Sequence, residues 1–177
     1  MIDFFKHQIT DSKKIDYLLT KSIGYTELFG KKIDQSNRLG RQTDNCVKYN
    51  DCSESIDIVY NILKDSFKNI DNDFIFKSFY FNINPKYSFN HINVYENGYY
   101  SGILWLKCDD KSGKLKLFEE ASQCFVINKK NNTKEIKPKL GEIVIFPSNT
   151  PNLIEQNRSD SPLIFIRFNI IKKITND

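Results

Sequence analysis

The hydrophobic period of this chain changes near Asp73, and that change constrains its fold more than any other feature. Before it, apolar residues recur every three or four positions; after it, they recur every second position. In the first part Ile15, Leu18, Leu19, Ser22 and Ile23 share one face of a helix. That helix opens at Asp11 or Ser12, either of which can cap the free N–H groups of a first turn. A second helix opens at Ser53 and carries Ile56, Val59, Tyr60, Leu63, Phe67 and Ile70 on one side. Residues 25–52 are polar, hold two glycines and read as loop. A connection of that length without structure of its own is uncommon, so it is expected to cover something or to carry function.

Beyond Asp73 the segments 74–84, 89–96, 101–108, 113–118, 123–128, 133–137, 142–147, 152–156 and 162–171 read as strands. Turn signals separate them: Asn97-Gly98, Ser112-Gly113, Asn131-Asn132, Leu140-Gly141 and Pro147-Ser148. Short strands at this spacing after two helices predict a mainly β fold, a sandwich or jelly roll with helices packed on one sheet. No repeat or linker interrupts the chain. One domain is expected over 1–177, with a helical part at 1–72 and a β core at 73–171.

Composition excludes several classes. With 177 residues, 40% hydrophobic and 27% charged, the chain suits one globular domain. No apolar run approaches the roughly 18 residues of a membrane helix, and MIDFFKHQITDSKK lacks the pattern of a signal peptide. A cytoplasmic protein is expected. Cys46, Cys52, Cys108 and Cys124 form no CxxC pair and are expected as reduced thiols, with Cys108 and Cys124 packed as small apolar residues. The net charge of +4 comes with only four arginines (Arg38, Arg41, Arg158 and Arg167) and with lysines scattered rather than gathered in a stripe. Abundant Lys, Asn and Ile reflect AT-rich codons. The reading therefore favours an unknown protein partner over nucleic acid, and involves no membrane.

From Asn82 onward the chain reads NIN, FNHINVYENGYYSGILWLK, SGKLKLFEE, KPKLGEIVIFPSNTPN and LIFIRFN, and upstream stands SNRLGRQT at Ser36–Thr43. In this order the segments resemble the 2-oxoglutarate/Fe(II) oxygenases found in marine bacteria, phages and other viruses. That family carries H-x-H or H-x-D on a strand, an SG-hydrophobic strand, G-x-L-x-F, P-x-x-G-x-x-x-x-FPS and a later metal histidine. An S-N-x-x-G-W-Q-S loop comes before them. The resemblance spans roughly residues 30–171 and implies a double-stranded β-helix. It also implies non-haem Fe(II) held by two imidazoles and a carboxylate, with 2-oxoglutarate anchored at its far end by an arginine. If the gene is viral, the protein is expected in the host cytoplasm or the virion.

Carried over by position, the first metal ligand falls on His91, the second on Asn93 and the third on Asn152; the co-substrate arginine falls on Leu163. Only His91 keeps the family's group. A neutral amide oxygen is a weak donor to Fe(II), so the set His91, Asn93, Asn152 is expected to hold little or no metal. The three are nonetheless expected to cluster at one end of the barrel. His7, the other histidine, lies near the N-terminus, and Glu96 is spaced poorly to replace a carboxylate ligand. Arg167 shares a strand face with Leu163, about 13 Å along, and is either an anion-binding group or a rim arginine. Trp105, Tyr99 and Tyr100 line a pocket or, as aromatics in such folds usually do, fill the core. Lys129, Lys130 and Lys134 read as a solvated hairpin tip.

These residues imply a degraded oxygenase-like protein that acts as a binding, regulatory or structural module, with no cofactor. The alternatives are an active hydroxylase with an atypical Fe(II) and 2-oxoglutarate site, or a cupin-like binder of a small ligand.

Overall fold

Two antiparallel sheets face each other in the computed structural model of the chain, which describes residues 2–30, 37–67, 73–119 and 133–173. The elements are β1 (Phe5–Gln8), α1 (Ser12–Phe29), β2 (Asn37–Arg38), β3 (Arg41–Gln42), α2 (Ser53–Ser66), β4 (Phe74–Asn84) and β5 (Phe89–Asn93). They continue with β6 (Tyr100–Lys107), β7 (Leu115–Phe118), β8 (Thr133–Ile136), β9 (Glu142–Pro147), β10 (Asn152–Ile154) and β11 (Leu163–Lys172). One sheet runs β1-β9-β6-β11-β4-β3 and the other β2-β5-β10-β7-β8. This is a double-stranded β-helix. The predicted strand 123–128, with Cys124, and residues Ser36, Ile70 and 129–132 lie outside the described residues.

Alternation along β11 divides the interior into two cores. Ile164, Ile166, Phe168 and Ile170 face the helices and pack with Leu18, Val59, Leu63 and Phe81. Leu163 and Phe165 face the smaller sheet and pack with Trp105, Leu115, Leu117 and Phe146. Gly102 lies directly across from Phe168. A Cβ there would stand 2.1 Å from the Phe168 ring, so only glycine admits the ring. Where Asn169 pairs with Ser78 and Ile170 with Phe76, a bulge skips Lys77. It turns both Phe76 and Phe79 to the helix side, where their rings meet edge to face at 5.5 Å. Trp105 is wholly buried, as the core reading expected; Tyr99 and Tyr100 are half-buried, their rings tilted against each other at 4.4 Å.

The first 52 residues hold more structure than their pattern predicts. Asp11 caps α1 by accepting from the N–H groups of Lys13 and Lys14. The helix then runs through 25–29, part of the segment expected as loop, to Phe29. Tertiary contact carries it there: Tyr25 stacks on Phe81 at 5.5 Å and Thr26 is fully buried. The rest of that loop holds β2, β3 and two 3-10 turns, Cys46–Lys48 and Asn50–Cys52. β2 pairs with β5 and β3 with β4, so this segment ties the two sheets together. Its turn demands Gly40, whose Cβ would lie 2.0 Å from Asn37 Oδ1. β1 adds to the edge of β9, a pairing too short to leave a periodic signal. Cys46 and Cys52 are buried free thiols and Cys108 is half-buried. No helix among the described residues is long and apolar enough to cross a membrane.

Candidate functional site

The inward face of β11 reads Leu163, Phe165, Arg167, Asn169, passing from apolar to polar along one strand. At the polar end Ser101 Oγ donates to Asn169 Oδ1 at 2.6 Å, and Asn169 Nδ2 donates to Ser78 Oγ at 2.7 Å. Beside Leu163 a chain of buried amides crosses the barrel. Asn37 Nδ2 donates to Asn84 Oδ1 at 2.8 Å, and Asn84 Nδ2 donates to Asn90 Oδ1 at 2.7 Å. These bonds join β2, β4 and β5, and so both sheets. Sequence reasoning passed over them. The available signal was the alternation Asn82-x-Asn84, which puts amides where a buried strand face would carry apolar residues.

Arg167 is buried in the middle of this face, with 5% of its surface exposed, and is not a rim arginine. Across the strands it pairs with Tyr80 and Ile103. Its Nη2 donates to Asn152 Oδ1. Asn152 Nδ2 in turn donates to the carbonyls of Asn93 and Thr150, at 3.0 Å each. Burial lowers the guanidinium to about 10, against small opposing effects from Tyr95 and Tyr80. Burial, then the neighbouring Tyr95, raises the Tyr80 phenol to about 12, so it stays protonated at neutral pH.

Asn93 lies directly across from Asn152, and Asn90 across from Ile154. Residues 90–93 of β5 therefore match 152–154 of β10, and the bulge sets His91 and Ile92 opposite Leu153. The His91 ring stands edge-on to Phe89 at 5.0 Å. Among the described residues no hydrogen bond links it to Asn93, Asn152 or Arg167. The fold thus joins Asn93, Asn152 and Arg167, and turns the His91 ring toward Phe89. Leu163 is wholly buried in the apolar core. His7 packs against Phe67 on the helix side, and Glu96 is exposed.

A buried polar face inside a double-stranded β-helix marks the candidate site, and the comparisons name the family. Residues 78–169, more than half of the chain, match the family described as "Putative 2OG-Fe(II) oxygenase". The chain belongs to that family. Solved structures agree on the fold. A prolyl-4-hydroxylase of Pseudomonas putida matches at 12% identity and TM-score 0.63, covering 98% of this chain and 94% of that one. A Trichoplax adhaerens prolyl hydroxylase, solved with a hypoxia inducible factor peptide, matches at 14% and 0.67, covering 96% and 83%. HygX of Streptomyces hygroscopicus, solved with nickel and 2-oxoglutarate, matches at 7% and 0.70, covering 97% and 84%. Comparison with curated protein sequences finds no match.

Neither group that the family implies fits the residues present. Asn152 turns its N–H groups to two carbonyls and its oxygen to a guanidinium, so what it could offer a metal is a neutral amide oxygen already engaged by a cation. A fixed positive charge at that point repels a divalent cation. No three His, Cys, Asp or Glu side chains come together among the described residues. Leu163 offers nothing to a distal carboxylate, whose burial without a cation costs several kcal/mol.

Proposed function

We propose that this chain is an oxygenase-family member that does not carry out the oxygenase reaction and acts as a binding, regulatory or structural module. One observation carries the reading: Arg167 donates to Asn152, the position that the resemblance assigns to the third metal ligand. A guanidinium there supplies a permanent positive charge where the family has a metal, and it has no redox chemistry or open coordination position. The scattered lysines favour a protein partner over nucleic acid, and we place the protein in the cytoplasm, that of a host if the gene is viral.

Titration with Mn(II) and Fe(II), and succinate release with 2-oxoglutarate, test the reading. No sub-micromolar metal binding and no succinate are expected. Restoring Asn93→Asp, Asn152→His and Leu163→Arg together is expected to recover metal only when Arg167→Ala is added, because the guanidinium otherwise stays at the new ligand. Tight Fe(II) binding by the unaltered protein, lost in His91→Ala, sinks the reading.

A further inference from the structure

We infer that Cys46 and Cys52 are a site of oxidative modification: hydrogen peroxide entering the cavity that both thiols line converts them to a disulfide.

The chain brings the two sulfurs to one place. Cys46 opens the first 3-10 turn and Cys52 closes the second, where α2 begins. Tyr49 N–H donates to Cys46 O at 3.0 Å, and Cys52 N–H donates to Tyr49 O at 3.1 Å. Tyr49 itself is extended, with φ −120° and ψ 124°, so the two turns do not run on as one rod. Both cysteines are buried and line one cavity of about 30 Å³ with Tyr25, Phe29, Thr43 and Tyr49. Their thiols hydrogen-bond each other. Thiols already in contact close to the roughly 2 Å of an S–S bond by small side-chain rotations.

Cavity size then selects the oxidant. One water needs about 10–15 Å³, so about 30 Å³ admits two oxygen atoms and excludes a disulfide of glutathione size. Phe29 and Tyr49, whose rings stack at 6.4 Å, are both exposed, so the cavity lies just beneath the surface.

Thr43 Oγ1 accepts from Phe81 N–H at 3.1 Å and keeps its own proton for Cys46 Sγ, 3.3 Å away. That donor stabilises charge developing on sulfur and makes Cys46 the attacking thiol. Its sulfur bonds one peroxide oxygen, the O–O bond breaks, and the thiol proton leaves with the other oxygen as water. The Cys52 sulfur then displaces hydroxyl from the Cys46 sulfenic acid, and its proton leaves in a second water. The two thiols lose two electrons and the peroxide gains them. Burial raises both thiols, Cys52 to about 12, so the reduced pair is protonated at neutral pH. Protonated thiols react slowly, and the reaction therefore depends on peroxide held in the cavity.

The test treats the full folded chain with hydrogen peroxide, alkylates the remaining thiols in denaturant, and maps the cysteine peptides by mass spectrometry before and after dithiothreitol. A reducible Cys46–Cys52 link is expected, with Cys108 still alkylated. The bulkier tert-butyl hydroperoxide is the comparison oxidant. The rate with hydrogen peroxide relative to the rate with this reagent is expected to be at least about tenfold higher in the folded chain than in urea, where the cavity is gone. In Cys52→Ser the reaction is expected to stop at a Cys46 sulfenic acid, captured by dimedone; a chain without that label overturns Cys46 as the attacking sulfur. The mapping needs no substitution, so it decides even where Cys52→Ser does not fold. Both thiols still alkylated after peroxide, oxidation of either without a link, or a link to another cysteine overturns the pair. Equal rate ratios in the folded and unfolded chain overturn the cavity as the oxidant's route.

Discussion

Replacing Arg167 by methionine keeps most of the buried volume and removes the charge, and its effect on stability follows from two opposing magnitudes. Lowering of the guanidinium from 12.5 to about 10 corresponds to a penalty of about 3 kcal/mol for carrying the charge in the fold. Removing the side chain relieves that penalty. It also leaves Asn152 Oδ1 without a donor, which costs about 1–3 kcal/mol. The expected result is a protein as stable as the original, or more stable by up to about 2 kcal/mol. Because the folded guanidinium has a lowered pKa, its penalty is constant well below about 10 and fades only above it. The difference between the two proteins is therefore expected to be flat from about pH 5 to 8. Urea unfolding followed by the fluorescence of the single tryptophan, Trp105, measures it in EDTA and carboxylate-free buffer. A loss of more than about 3 kcal/mol would show that the guanidinium is compensated within the protein, as breaking a buried ion pair does.

Three further outcomes are expected. Gly102→Ala places a methyl 2.1 Å from the Phe168 ring and is expected to destabilise by about 2–3 kcal/mol or more, read in the same urea assay. Asn84→Ala strands Asn37 Nδ2 and Asn90 Oδ1, and about 2–4 kcal/mol of loss is expected; a loss under about 0.5 kcal/mol would show that the amide chain is dispensable. Tyr80 is raised from 10.0 to about 12, chiefly by burial, so the fold favours its protonated phenol. That contribution is complete below about pH 10 and is lost as pH rises toward 12. Ultraviolet difference titration of Tyr80→Phe is expected to lack one late-titrating phenol.

How much of this was legible beforehand depends on the range of the interactions involved. Bounds for 74–84 and 142–147 coincide with β4 and β9, because long alternating runs carry their own period. The placement of Leu163 and Arg167 on one face was equally local, a consequence of period 2 along a strand. Residues 25–29, by contrast, have no apolar stripe of their own and are helical because Tyr25 finds Phe81, 56 positions on. β1, β2 and β3 are two to four residues long, and pairing rather than pattern makes them strands. The position-by-position reading of the site put Asn93 and Asn152 together with His91 and left Arg167 apart from them. It did not find Tyr80 or the Asn37–Asn84–Asn90 chain.

The sequence by itself determined the architecture, through the change of hydrophobic period, and the chemistry missing from the site, through Asn93, Asn152 and Leu163. Only the tertiary structure decided what stands in place of that chemistry. The register of β11 between β4 and β6 sets Arg167 beside Tyr80, and the return of β10 across the barrel brings Asn152 to its guanidinium. A bulge of one residue in β5 decides that Asn90 and Asn93 share the inner face. Such pairings are settled by the packing of whole sheets, where one residue of register reverses the face that every later side chain presents.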